Sequence, residues 1–320
     1  MKINNLFFGI FTTQNSMNSV LNSIKNQSVV FGFFITLLGG IFWGFSGVCG
    51  QYLFEVKGVS ANWLVPYRLF CSGVVLLAYC AFRLRDKRIF APLKDKRLYP
   101  QFLAFSLFGL MLTQYFYFYS IELSNAAVST VLQYTAPAMI LLIVCINERR
   151  LPKINEFIAL ILAMLGVVVL ATHGDLGTLV IGKKALIFAL LSAICVCFYN
   201  FAPRKLNQKY PVVLNLGWGL VLGGVVLGSF LQVWNLQGIS DFSGFLALLG
   251  VIFFGTVFAF SFYLFGVKII GAPKASIVAS IEPVSAAFFA HFWLKTQFVF
   301  LDFVGFVLII SCIFLLAKKG

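Results

Sequence analysis

The chain has 320 residues, of which 61% are hydrophobic and 11% charged, and its mean hydropathy is +0.97. Such a composition lies far outside that of water-soluble domains and puts the chain in a bilayer. The formal net charge of +14 does not point to nucleic acid, because the basic residues sit in short segments between apolar runs and form no continuous soluble patch.

In chain order, residues 1–28 are rich in Asn, Ser, Gln and Thr around the short apolar run 6–11. That run is too brief to span and lacks a small-residue cleavage site, so 1–28 is expected to be a poorly ordered cytoplasmic tail, with Met17 a candidate alternative start. Ten segments of roughly 20 apolar residues follow, the length that crosses about 30 Å of hydrocarbon. They lie near 30–52, 61–82, 99–121, 124–146, 154–172, 183–202, 212–234, 243–267, 272–293 and 298–317. The expected fold is an all-α integral membrane protein with ten transmembrane helices, five in 29–175 and five in 176–320.

Topology follows from the basic residues. With the N-terminus inside, inner segments collect 19 of the 24 Lys and Arg, seven of them between 83 and 97, while outer loops hold only Lys57, Lys183, Lys184 and Lys295. This satisfies the positive-inside rule and places both termini in the cytoplasm.

The second half repeats the first. Residues 107–171 and 253–317 superpose at a constant offset of 146 without a gap, matching Gly109 with Gly255, Tyr117 with Tyr263, Ala126 with Ala272 and Pro137 with Pro283. Five spans per repeat is an odd number, so the repeats enter the membrane in opposite senses, an arrangement that points to a transporter and to a binding site near the interrupted helices.

Ionisable residues well inside spans are few and costly there unless they face protein or a wet cavity. Arg68, behind Pro66 in the second span, is either a snorkelling arginine near the outer leaflet or a cavity charge that attracts a carboxylate. Glu282, directly before Pro283, has Ala136 as its repeat partner and breaks the symmetry. Proline removes a backbone donor and loosens the turn four residues earlier, so helix kinks are expected at Pro137, opening the turn at Gln133, and at Pro283, opening that at Ala279. Glu282 there is either a proton- or cation-binding carboxylate or a structural acceptor. His291 reads as hydrogen-bonded packing rather than a proton relay.

Aromatic residues with polar tips suit a cavity for small organic solutes. Gln114, Tyr117, Gln133, Tyr134, Tyr199, Asn200, Tyr263 and Ser280 are the candidates, with Arg68 and Glu282, while Tyr119 and Trp63 read as an interfacial belt. The seven cysteines all fall in apolar spans with no CxxC, so neither a disulfide framework nor a metal site is indicated. Glycines spaced by four, Gly40 with Gly44, Gly219 with Gly223 and Gly224 with Gly228, let helices approach closely.

Leu132-Gln133-Tyr134-Thr135-Ala136-Pro137 followed by Asn147-Glu148-Arg149-Arg150, then Ser280-Ile281-Glu282-Pro283-Val284, with Arg68-Leu69-Phe70 in the second span, resemble the ten-span carriers of the drug/metabolite transporter superfamily that are built from two EamA-type repeats. The resemblance covers about 30–317. It implies an inverted-repeat bundle, a central substrate cavity lined mainly by the first, third, fourth, sixth, eighth and ninth helices, alternating access, and export or exchange of small metabolites, commonly amino acids. It also implies that Gln133, Tyr134, Pro137, Glu282 and Pro283 flank that cavity. One departure is Leu294, where many second repeats carry a glutamate matching Glu148.

The expected activity is secondary transport of a small amphipathic metabolite, an amino acid or related organic acid, outward across a bacterial inner membrane. No enzymatic activity, cofactor or metal is expected, and no GxxxxGK[ST] motif offers an ATP site. The expected partners are the small-molecule substrate, the lipid bilayer and protons as a candidate coupling ion, with no nucleic acid; the chain is a monomer or homodimer. Two alternatives stay open: proton-coupled uptake by the same fold, and an integral-membrane lipid-modifying enzyme. Against the latter, the two histidines, His173 and His291, are far apart rather than clustered with carboxylates.

Overall fold

The computed structural model describes residues 29–84, 87–173, 175, 180–270, 275 and 278–317; the predicted tail and Met17 lie outside them. Within hydrocarbon every backbone polar group must be satisfied inside the segment, so apolar runs of this length become helices. The helices are α1 (Val29–Glu55) and α2 (Ala61–Leu84), α3 (Lys96–Leu123), α4 (Ala126–Asn147) and α5 (Ile154–Thr172), α6 (Lys183–Phe201) and α7 (Val212–Leu231), α8 (Phe242–Ile270), α9 (Ile281–Leu294) and α10 (Phe300–Ala317). No strand occurs among the described residues.

The segments α1 to α8 are long and apolar enough to cross a membrane, which makes this a multi-pass membrane protein. At the places of the ninth and tenth predicted spans, α9 is described over 14 residues and α10 over 18, with Phe300–Cys312 the apolar stretch of the latter.

The two halves carry the same irregularities at the offset read from the sequence. A π-helical segment begins at Ala104 in α3 and at Gly250 in α8. The helical run breaks at a turn at Tyr134 and Thr135 in α4 and at Ser280 before α9. Left-handed residues follow α4 and α9 at Arg149, φ 49°, and Lys295, φ 59°. Each pair is 146 residues apart. The expected kinks therefore open two or three residues before Pro137 and Pro283, where the missing proline N–H leaves the turn unsupported.

The halves interlock. α1 packs on α8 and α9, α6 on α3 and α4, α2 on α7, and α5 on α10. The α1–α9 contact depends on Gly44, because a Cβ there would stand 2.7 Å from the Glu282 carbonyl and 2.1 Å from Ser285 Oγ. Gly224 does the same for α7, where a Cβ would stand 2.6 Å from the Phe70 nitrogen on α2. Both glycine motifs thus serve close packing.

The basic segment after α2 is tied to the segment between α6 and α7 and to α7 itself. Lys209 Nζ reaches Asp95 Oδ2 at 2.5 Å, Tyr210 donates to the same oxygen at 3.0 Å, and the Trp218 indole donates to the Ile89 carbonyl at 2.7 Å. Lys209 beside it holds the Asp95 carboxyl below the usual carboxylate range.

A one-ended cavity between the halves

A cavity of about 630 Å³ lies among α1, α2, α3, α4, α6, α8 and the start of α9. The six helices that the resemblance implied all border it, and Arg68 joins from α2. Its lining runs from Ser46, Arg68 and Gln114 down to Arg150, Glu156 and Asn200, which stand where α4 ends, α5 begins and α6 ends. The cavity therefore reaches the basic end of the bundle. Towards the other end no described residue beyond Ser46 on α1 or Tyr117 on α3 borders it.

That other end is closed by polar contacts. Gln51, 1% exposed, donates from Nε2 to Glu55 at 2.8 Å and to Thr296 at 3.2 Å, and its Oε1 accepts the Ala126 N–H at 2.9 Å. One side chain thus joins α1, the first turn of α4 and the segment between α9 and α10. Around it Glu122 accepts the Ala61 N–H at 2.9 Å, Lys57 pairs with Asp241 at 2.6 Å, and Tyr52 stacks on Trp293 with centroids 5.2 Å apart.

Of the ten residues singled out from the sequence, Arg68, Gln114, Tyr117, Gln133, Tyr134, Tyr199, Asn200, Tyr263 and Glu282 border this one cavity. Ser280 does not. It lies with Val278, Ile281 and Val284 on a shallow apolar recess against α1 and α10, because two residues along a helix turn about 200° and carry it away from the face of Ala279 and Glu282.

Arg68 is 3% exposed and does not snorkel. Its Nη1 donates to Gln114 Oε1 at 2.6 Å, Nε to Thr256 at 3.4 Å and Nη2 to the Gly255 carbonyl at 3.4 Å, while the guanidinium lies 4.5 Å over the Phe118 ring. The π-helical turn serves this contact, because the Ala259 N–H bonds the carbonyls of Phe254 and Thr256 and skips that of Gly255. Arg68 makes no ion pair with a described residue and braces α2 against α3 and α8.

Polar tips differ in their partners among the described residues. The Tyr117 hydroxyl shares a hydrogen bond of 2.7 Å with Thr130. Gln133 Nε2 donates to Ser192 at 2.5 Å, which donates to the Thr113 carbonyl at 2.9 Å. Asn200 bonds the Val196 carbonyl of its own helix at 2.8 Å. By contrast the hydroxyls of Tyr199 and Tyr263 make no hydrogen bond with a described residue. They share the cavity wall with Trp43, whose ring lies 5.2 Å from that of Tyr263.

Glu282 completes the wall. The Tyr134 hydroxyl lies 3.0 Å from Glu282 Oε2 and 3.0 Å from the Ala279 carbonyl. That carbonyl is the one Pro283 deprives of its helical donor, so a tyrosine of the first proline motif repairs the turn opened by the second. Neither histidine borders the cavity: His291 bonds the Thr296 carbonyl at 3.1 Å, and His173 pairs with Asp302 at 2.8 Å, joining α5 to α10.

The model of the EamA-like transporter family matches residues 30–172 and again residues 183–318. The chain belongs to the EamA-like transporter family. It is 34% identical over 286 residues to YicL, an uncharacterized inner membrane transporter of Salmonella typhimurium, covering 89% of this chain and 95% of that one. An uncharacterized transporter of Archaeoglobus fulgidus is 23% identical over 284 residues, covering 87% and 95%. A solved crystal structure shares the fold, with a TM-score of 0.60 at 14% identity over 89% of this chain and 95% of its own. The protein is a membrane transporter.

Sequence reasoning missed Trp43, Ser46 and Gln51 on α1. Gly40 and Gly44 marked that helix as tightly packed, but a packing motif does not say which flanking residues turn inward. Nor was Arg150 singled out, which holds Glu156 at 2.7 Å and Glu148 at 2.6 Å at the cavity mouth.

Proposed function

We propose that this transporter works by alternating access in a bacterial inner membrane, with ten spans in two inverted five-helix repeats, and exports a small amphipathic metabolite, an amino acid or related organic acid. The observation that carries the proposal is the one-ended cavity between two interlocked halves, sealed on one side around Gln51 and reaching the basic end on the other. Under the positive-inside rule the basic end is cytoplasmic, which supports reading this arrangement as the state that loads from inside.

Apart from the Arg150–Glu156 pair at its mouth, Glu282 and Arg68 give the cavity one carboxylate and one guanidinium at separate places, and the hydroxyls of Tyr199 and Tyr263, without a hydrogen-bond partner among the described residues, add orienting groups to an aromatic wall. A substrate ammonium is matched by Glu282. Arg68 spends three donors on the protein and sets the positive end of the field rather than clamping a carboxylate in both hands.

The Tyr134 hydroxyl has one hydrogen and two oxygens at 3.0 Å. It serves both at once when Glu282 carries a proton and donates to the Tyr134 oxygen, leaving the tyrosine hydrogen for Ala279. An ionised Glu282 competes with the carbonyl, and a substrate ammonium is then its better partner. This inventory supports a reading in which a proton exchanges for substrate at Glu282.

The test is a metabolite panel in proteoliposomes, with and without an imposed pH gradient. Vesicles preloaded with an unlabelled amino acid should accelerate uptake of the same labelled solute, which only a carrier does. If no member of the panel shows such counterflow, the substrate class is wrong.

A further inference from the structure

A second recess, of about 530 Å³, opens on the outside of the bundle at its basic end, between α3, α4 and α6. Ile143, Phe198 and Phe201 form its apolar wall, Gln101 borders it, and Arg204 and Lys205 stand at its rim, just past the last turn of α6. Phe198 is 45% exposed, so this wall faces the lipid rather than the protein core.

The two cations are exposed, and neither pairs with a carboxylate among the described residues. The neighbouring Lys209 is engaged by Asp95. Arg204 is nevertheless held in place, its guanidinium 4.7 Å over the Phe201 ring. Gln101 Oε1 is buried and without a donor among the described residues. An apolar wall that ends in two unpaired cations at the edge of a span is complementary to a molecule with an acyl chain and an anionic head.

We propose that this recess binds one anionic phospholipid of the bilayer. Its phosphate is taken by Arg204, whose planar fork matches phosphate oxygens, and by Lys205. A headgroup hydroxyl supplies the donor that Gln101 lacks, and an acyl chain lies along Ile143, Phe198 and Phe201. A free phosphate would satisfy the cations but leave the apolar wall unused, so the wall selects a lipid.

The site also touches the transport path. On α4, Ile140 and Val144 face the central cavity while Ile143 faces the recess, and on α6 Tyr199 faces the cavity while Phe198 faces the recess. One layer of helix separates them at the cavity mouth. A lipid seated there braces α4 against α6.

The experiment is native mass spectrometry of the full-length protein in detergent, titrated with phosphatidylglycerol or with phosphatidylcholine of the same acyl chains. Each basic residue near an anionic headgroup favours binding about fivefold at low salt, so the two cations together give phosphatidylglycerol a preference of about 25-fold. Arg204→Gln and Lys205→Gln should each lower that ratio about fivefold and together bring it to about one. Lys94→Gln with Lys96→Gln, which do not border the recess, should leave it unchanged. Excess soluble glycerol phosphate should not displace the lipid. Equal retention of the two lipids, an unchanged ratio in the Arg204 and Lys205 variants, loss of preference in the Lys94 and Lys96 control, or displacement by glycerol phosphate would each overturn the proposal.

Discussion

Tyr134 and Glu282 stand 148 residues apart and meet at 3.0 Å, with the same tyrosine hydroxyl 3.0 Å from the Ala279 carbonyl. The contact joins the interrupted helix of one half to that of the other, next to both prolines. Removing the hydroxyl in Tyr134→Phe leaves the buried carbonyl without a donor, at a cost of about 1–3 kcal/mol. The variant should unfold at a lower temperature in detergent and transport more slowly. Wild-type stability and rate together would make the contact idle.

Glu282→Gln replaces the carboxylate by a neutral isostere that keeps the shape beside Pro283. It should abolish transport driven by a pH gradient yet retain some substrate exchange in proteoliposomes. Coupling at the wild-type rate would remove Glu282 from proton movement and leave it a structural acceptor. Loss of both modes at normal abundance would make it a substrate-binding group instead.

Tyr263 and Tyr117 are matched across the repeat but differ in what their hydroxyls do. Tyr263→Phe deletes a cavity-wall hydroxyl that has no hydrogen-bond partner among the described residues and should change apparent substrate affinity without altering thermal stability. Tyr117→Phe breaks the 2.7 Å bond to Thr130 and should lower stability by about 1 kcal/mol. The reverse pattern in paired affinity and unfolding measurements would place Tyr263, rather than Tyr117, in the packed interior.

Gln51→Leu removes the three hydrogen bonds that seal the end of the bundle opposite the cavity mouth. A single cysteine at Tyr117 should then react faster with an impermeant thiol reagent added from the periplasmic side than it does with Gln51 intact. The nearby Lys57–Asp241 pair does not confound a pH-gradient assay, because Lys57 and Ser243 hold the Asp241 carboxyl at about 2 and the pair stays charged at ordinary assay pH. An unchanged labelling rate would show that Gln51 does not hold the seal.

Residues 83–97, from the end of α2 to the start of α3, carry seven of the 24 basic residues and should face the cytoplasm. Phe90→Cys in a cysteine-free background should resist an impermeant reagent applied to intact cells from the periplasm and react in inverted vesicles. Reaction from the periplasm would reverse the topology and, with it, the side from which the cavity loads.

Helix, span and duplication were legible in the residue order because each depends on local chemistry: apolar runs of bilayer length leave the backbone no alternative to helix, and an offset of 146 repeats the prolines and the glycines that shape each half. Glu282 was legible for the same reason, as a carboxylate whose repeat partner is an alanine. What each polar side chain does was decided by tertiary structure. Tyr117 and Tyr263 occupy equivalent positions, yet among the described residues only the first finds a hydroxyl partner, Thr130 on α4. Arg68 could as well have snorkelled until α8, irregular at its π-helical segment, brought the Gly255 carbonyl and Thr256 against it. Gln51 carried no signal of its sealing role, since its partners on other helices, Ala126 and Thr296, lie 75 and 245 residues away. A residue's place along a span is local information, but whether its polar atoms are spent on the protein or left to a ligand depends on which distant helices pack beside it.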